Sequence, residues 1–221
     1  MSPPIPNSPA GSPPLVRIPV GEVQLDAELD VPPGAHGLVI FAHGTGSGRL
    51  SPRNSAVAQR LRTHALATLL VDLLTAEEDI DREKRFDIQL LTERLGAITD
   101  WAQVHPDIKK LPIGYFGAST GAAAALNAAA NRQKTVRAVV SRGGRVDLAR
   151  ESLASLKTPT LFAVGQNDFG VLEVNEEAFL EVPGTKELAI IPHATHLFEE
   201  PGTLDRVAQL AAEWFNEYLG V

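Results

Sequence analysis

The feature that most constrains this chain is a repeated one. Short apolar runs with little polar interruption return along it, and stretches of helical periodicity separate them. The runs are GLVIFAH (37–43), LATLLVD (66–72), LPIGYFG (111–117), VRAVVS (136–141), TPTLFAVG (158–165) and KELAIIP (186–192). A strand with one wet face alternates apolar and polar residues; a run without that alternation is a strand covered on both faces. Between the runs, Ser51 and Pro52 supply an N-cap and a first helical residue. Ile88, Leu91, Leu95, Ile98 and Trp101 fall on one helical face, and an Ala-rich helix follows Gly117. Leu204, Val207, Leu210, Ala211, Trp214, Phe215 and Tyr218 repeat at helical spacing in a last helix over 203–219. Strands alternating with helices imply an α/β fold, a mostly parallel sheet with helices on both faces. Ahead of them, LVRIPVGEVQLDAELDVP (15–32) alternates about Gly21, so an antiparallel hairpin is expected at the N-terminal edge.

The 221 residues suffice for one sizeable core, so a single domain is expected over 15–221. Six of the first 14 residues are proline, which marks 1–14 as a flexible, proline-rich tail. That stretch has neither a basic start nor an apolar core, so it does not read as a signal peptide. The net charge of -7 removes any electrostatic reason to expect nucleic acid or an anionic membrane as a partner. Cysteine is absent, which excludes disulfides, thiolate metal sites and a thiol nucleophile. It also fits a reducing compartment, and a cytoplasmic location is the expectation.

In open parallel sheets, ligands sit in the loops beyond the carboxyl ends of the strands. The residues that stand there are therefore the informative ones. HGTGSGR (43–49) follows the first buried run, and GASTG (117–121) the third. QNDFG, with Asp168, and HATHLFEE, with His193 and His196, follow the last two. A serine, an acid and a histidine thus reach one edge in the order Ser119, Asp168, His196. A serine hydroxyl is a weak nucleophile until an imidazole takes its proton. The imidazole needs a carboxylate on its other nitrogen to fix the tautomer and stabilise the imidazolium. G-x-S-x-G between a buried strand and a helix is the sharp turn that presents such a serine. The helix starting there points free N–H groups at a developing oxyanion. Thr120 supplies one of them; the second comes from the loop after the first buried run, at Thr45 or alternatively Gly46.

These residues resemble the serine hydrolases of the α/β-hydrolase superfamily, and more narrowly the dienelactone hydrolase-like family. The resemblance runs from about residue 20 and rests on FAHGTGSGRLSPRN, YFGASTGAAAAL, VVSRGGRVDLA and ATHLFEEPG. It implies an α/β-hydrolase fold with Ser119 as nucleophile, Asp168 as acid, His196 as base, and Thr45 and Thr120 as oxyanion donors. It implies no cofactor and no metal, and a small-molecule ester as substrate. Dienelactone hydrolase itself uses cysteine, so serine here points to ordinary ester chemistry. No insertion long enough for a separate lid domain stands between the last strands.

Other residues compete for these roles. His193 precedes His196 by three positions and reads as a loop residue at the strand end; a His-x-x-His metal pair lacks a third ligand. Asp72 comes too early in the chain for the acid and Asp147 follows the wrong strand. His43 reads as a brace for the oxyanion loop. GTGSG is no dinucleotide fingerprint, because Arg49 stands where a third glycine is needed. Arg53, Arg142 and Arg145 could each hold a substrate carboxylate or phosphate, or else form ion pairs. The run AEEDIDREKR (76–85) reads as a solvated loop or a helix start that could cover part of the site. Two functional classes follow: an acyl-transferring hydrolase (esterase, lactonase, thioesterase or peptidase) or a non-catalytic binding module on the same fold. The oligomeric state is not legible.

Overall fold

Gly21, at φ +58°, turns the chain between β1 (Leu15–Val20) and β2 (Val23–Asp30). The two strands pair antiparallel with Leu15 opposite Glu28, so the expected hairpin forms about the expected glycine. The computed structural model describes residues 14–220. The proline-rich tail, apart from Pro14, lies outside them.

β2 lays the hairpin antiparallel against β4 (Leu66–Val71). All further pairings are parallel, through β3 (Gly37–Ala42), β5 (Ile113–Ala118), β6 (Val136–Arg142), β7 (Thr160–Gly165) and β8 (Lys186–Ile191). The sheet order is β1-β2-β4-β3-β5-β6-β7-β8. Every residue of β3, β4, β5 and β7 is buried, which is why those runs show no alternation.

The helices divide over the two faces. On one lie α1 (Pro52–Thr63) and α7 (Thr203–Leu219), whose Val57, Leu61, Val207, Ala211 and Phe215 pack on Val39, Phe116 and Val140 of the sheet. The other carries α3 (Ile88–Ala102), α4 (Thr120–Asn131), the short α5 (Arg150–Leu153) and α6 (Phe169–Glu181). The Ser51 hydroxyl caps α1 by accepting the Asn54 N–H at 3.4 Å, and the Asp87 carboxylate caps α3 through the Leu90 N–H at 2.9 Å. Ala122, Ala123, Ala124 and Ala125 are all fully buried, so their small side chains let α4 lie close beneath the sheet.

Two helical segments are not evident from periodicity. α6 buries only Asn175 and Ala178 and leaves Phe169 and Leu180 exposed, so it has no apolar stripe to read. The acidic run folds into a 3₁₀ turn at Glu78–Ile80 and a five-residue helix, α2 (Arg82–Phe86). Neither buries a residue, and tertiary contacts rather than an apolar face hold them. Among the described residues there is no separate lid domain.

Candidate active site

Ser119 sits between β5 and α4 with φ +51° and ψ -120°. A non-glycine residue in that region costs about 1–3 kcal/mol and persists only where its surroundings impose it. Here they do. The Ser119 N–H donates to the Arg142 carbonyl at 3.2 Å, and its own carbonyl accepts the N–H groups of Ala122 and Arg145, each at 3.1 Å. A Cβ on Gly117 would come within 2.5 Å of the Ala122 Cα, and one on Gly121 would overlap the carbonyl oxygens of Ala42 and His43. The two glycines of the motif are therefore required by the close approach of α4 to β5 and β3, and the turn leaves Ser119 half-buried at the sheet edge.

Asp168 follows β7 and heads α6. Its carboxylate makes no capping hydrogen bond to that helix. Instead Oδ2 accepts from His196 Nδ1 at 2.7 Å, with the aspartate side chain 13% exposed and the histidine 38%. This leaves Nε2 for a proton from a neighbouring hydroxyl; no hydrogen bond from Ser119 to Nε2 is formed in this resting geometry. The loops carrying the pair are tied to each other, because the Asn167 N–H donates to the Ala194 carbonyl at 2.9 Å. The His196 loop is also closed on itself by Thr195, whose hydroxyl donates to Glu200 Oε1 at 2.6 Å. Gly143 lies behind the imidazole: a Cβ there would stand 3.5 Å from Nδ1. The structure thus brings Ser119, Asp168 and His196 to the carboxyl ends of β5, β7 and β8.

Thr45 and Thr120 meet on the other side of Ser119. The Thr45 N–H donates to Thr120 Oγ1 at 2.9 Å, and the two hydroxyls lie 2.9 Å apart. The Thr45 hydroxyl gives its proton to the Arg85 carbonyl at 3.2 Å, so the Thr120 hydroxyl donates to Thr45. A chain of hydrogen bonds therefore joins the start of α4 to the end of the acidic segment. That side-chain role of Thr120 carries no signal in the sequence. His43 braces the same loop: its Nε2 accepts the Leu73 N–H at 2.9 Å and its Nδ1 meets the Gly44 carbonyl at 3.0 Å. Burial pushes its pKa down, which keeps the ring neutral in the tautomer these bonds require.

The competing acids are engaged elsewhere. Asp72 pairs with Arg49 and accepts the Arg49 N–H at 2.6 Å. Asp147 holds Arg145 through two bonds of 2.9 and 2.7 Å, and each group stabilises the other's charge. His193 is exposed at φ +64°, and its carbonyl accepts from the Asn167 side chain at 3.0 Å. The three arginines separate: Arg145 is paired with Asp147, Arg53 meets Glu199 at 3.3 Å, and Arg142 is buried without a carboxylate. The acidic segment is anchored by Glu78, which takes two bonds of 2.6 and 2.7 Å from Arg94. The Arg94 guanidinium holds the Glu78 carboxyl down at about 2. A cavity of about 800 Å³ opens beside the Thr45 loop, walled by Thr45, Arg49, Arg53, Asp72 and Glu77. Neither Ser119 nor His196 is among its walls.

No family model matches the chain. A solved structure described as dienelactone hydrolase from Anabaena variabilis is 56% identical, covers 93% of this chain and 97% of its own, and superposes with a TM-score of 0.90. An α/β serine hydrolase without lid from Xanthomonas campestris shares the fold at a TM-score of 0.76 with 17% identity, over 98% of this chain and 99% of its own. Two Mycobacterium tuberculosis proteins, whose names provisionally assign a phosphoribosyl transferase, are 53% identical over 95% of this chain. The chain spans about half the length of these curated relatives, 48%.

Proposed function

Since the chain belongs to the dienelactone hydrolase-like family of the α/β-hydrolase superfamily, we propose that it is a serine hydrolase that cleaves small carboxylic esters or lactones through an acyl-enzyme. The observation that carries this reading is the strained Ser119 elbow on the same sheet edge as the Asp168–His196 pair, 2.7 Å apart.

In the first step Ser119 Oγ attacks the ester carbonyl carbon while His196 Nε2 takes the hydroxyl proton. Asp168 keeps the other proton on Nδ1 and stabilises the imidazolium. The carbonyl oxygen becomes an oxyanion, held by the Thr120 N–H at the start of α4 and by the Thr45 N–H. In the resting geometry the Thr45 N–H is engaged by Thr120 Oγ1. A rotation of the Thr120 side chain about χ1 releases it as the oxyanion forms. The imidazolium then protonates the leaving alkoxide, which departs as the alcohol. Water, deprotonated by His196, attacks the acyl-enzyme, and the acid is released with Ser119 restored. The chemistry needs no cofactor and no metal.

The half-length match to the mycobacterial proteins adds a point about context. The phosphoribosyl transferase named for them belongs, on this reading, to the half that the chain does not match.

The test is direct. Wild-type protein should be labelled by a fluorophosphonate and should hydrolyse short-chain aryl esters; Ser119→Ala should lose both. An alanine variant that keeps either, or a wild type that is never labelled, removes the assignment and favours a non-catalytic binding module.

A further inference from the structure

One charged group has no part in the chemistry above. Arg142 ends β6, and its carbonyl holds the Ser119 N–H. Its side chain reaches towards α1 and the His196 loop and is only 8% exposed. No carboxylate meets it there. Its Nη2 stands 3.5 Å from Asn54 Oδ1, and its guanidinium carbon lies 5.9 Å from the centre of the Phe198 ring. Nε and Nη1 are buried with no acceptor among the described residues.

The charge that acts on it has the same sign. Arg53, in the first turn of α1, also has a buried Nε without an acceptor. Its Nη1 reaches only Glu199, at 3.3 Å, and that carboxylate is 66% exposed. Burial and the proximity of Arg53 push Arg142 down to about 10. Buried guanidinium N–H groups are costly to leave unpaired, and two adjacent cations compound the cost. The 12-residue helix α1 adds the positive end of its dipole at the same place. Arg53 also walls the cavity that runs to Thr45.

Resting on the hydrolase reading above, we propose that Arg142, Arg53 and the first turn of α1 bind the phosphate group of a phosphorylated ester, whose acyl carbon is attacked by Ser119. The charge decides for phosphate. Two fixed cations and a helix N-terminus are neutralised by a phosphomonoester, which carries about -1.5 to -2 at neutral pH. The shape agrees: the free donors come from two guanidiniums, and a phosphate offers three acceptor oxygens where a carboxylate offers two in one plane. Glu199, on the exposed rim, is displaced from Arg53 as the phosphate enters.

The probe is inorganic phosphate, titrated calorimetrically into the full chain carrying Ser119→Ala, so that the outcome does not depend on the nucleophile. Phosphate should bind, and Arg142→Gln added to that background should weaken it at least tenfold. Arg53→Gln should weaken it several-fold and keeps the test open should the Arg142 variant not fold. Arg137→Gln, which removes a charge from the far end of the same strand, should leave binding unchanged. In the active protein, an aryl propanoate carrying a terminal phosphate should exceed the unphosphorylated propanoate in kcat/KM, through KM, and Arg142→Gln should cut that preference at least tenfold. Four results would overturn the proposal. One is a failure of phosphate to bind the Ser119→Ala protein, and another is succinate binding as tightly as phosphate. A third is phosphate binding with no gain for the phosphorylated ester, which makes the site one for free phosphate. The last is Arg142→Gln slowing both esters in equal proportion, which makes Arg142 a positioning residue for the His196 loop.

Discussion

Two segments meet the Thr45 loop, and they are held in place by different forces. The elbow from Gly117 to Gly121 is fixed by close packing. Its glycines touch the backbone of α4 and β3, its strain is local, and it contains no ionisable side chain. The segment from Thr75 to Phe86 is fixed by charge. Its turn hangs on Glu78, bound by Arg94 and Lys84, and its helix on the Arg85–Asp79 pair. Both end at the Thr45 loop, the elbow through Thr120 and the acidic segment through the Arg85 carbonyl. The difference teaches that one wall of the site is set by sterics that pH and salt do not reach, and the other by ion pairs that both can weaken.

The sharpest way to break the steric wall is Gly121→Ala. The added methyl meets the Ala42 and His43 carbonyl oxygens, so β3 or α4 must move. The expected cost is about 3 kcal/mol or more, which lowers Tm by roughly 8 °C in a chain of this size. A variant with wild-type Tm in a thermal melt would show that the elbow is not held by packing.

The charged wall is broken by Arg94→Met. It leaves Glu78, whose side chain is only 15% exposed, without its main partner. Removing one member of a mostly buried pair costs about 2–4 kcal/mol. The double variant with Glu78→Leu should recover part of this in denaturant unfolding. If the double variant loses the sum of the two single losses, the pair is not coupled.

The smallest effect is the one that separates the two walls most cleanly. The Glu78 carboxyl lies at about 2 in the folded protein against 4.5 ordinarily. A lowered folded value stabilises fully above pH 4.5, and that contribution is lost as pH falls from 4.5 towards 2. Wild-type Tm should therefore drop more steeply than that of Glu78→Gln between pH 5 and pH 3. Parallel curves for the two proteins would remove Glu78 as the acid-sensitive anchor.

Much of the frame was legible before any coordinates. The uninterrupted runs at 37–43, 66–72 and 111–117 became strands buried on both faces, because residues with no wet face leave no alternation to hide. Ser51, Pro52 and the 203–219 stripe marked helices through local rules that act within one or two turns. α6 is not legible because it buries little, and 76–85 reads only as a loop or a helix start because ion pairs rather than periodicity define α2. The elbow was readable as a motif, but the reason for each of its glycines was not. For Gly121 that reason lies in α4 pressing on β3, some 80 residues away in the chain, and for Gly117 in α4 folding back on β5.

The arginines show where the boundary falls. By sequence, Arg53, Arg142 and Arg145 were equivalent candidates for an anion. The fold gave Arg145 a carboxylate two residues away, gave Arg53 an exposed one 146 residues away, and buried Arg142 with none. By itself the sequence determined the succession of strands and helices and the placing of Ser119, Asp168 and His196 beyond strand ends, since periodicity and turn chemistry are local. Only the tertiary structure decided which charges meet and which stay unpaired. Electrostatic pairing depends on distance and burial in space, and neither is written in the neighbours along the chain.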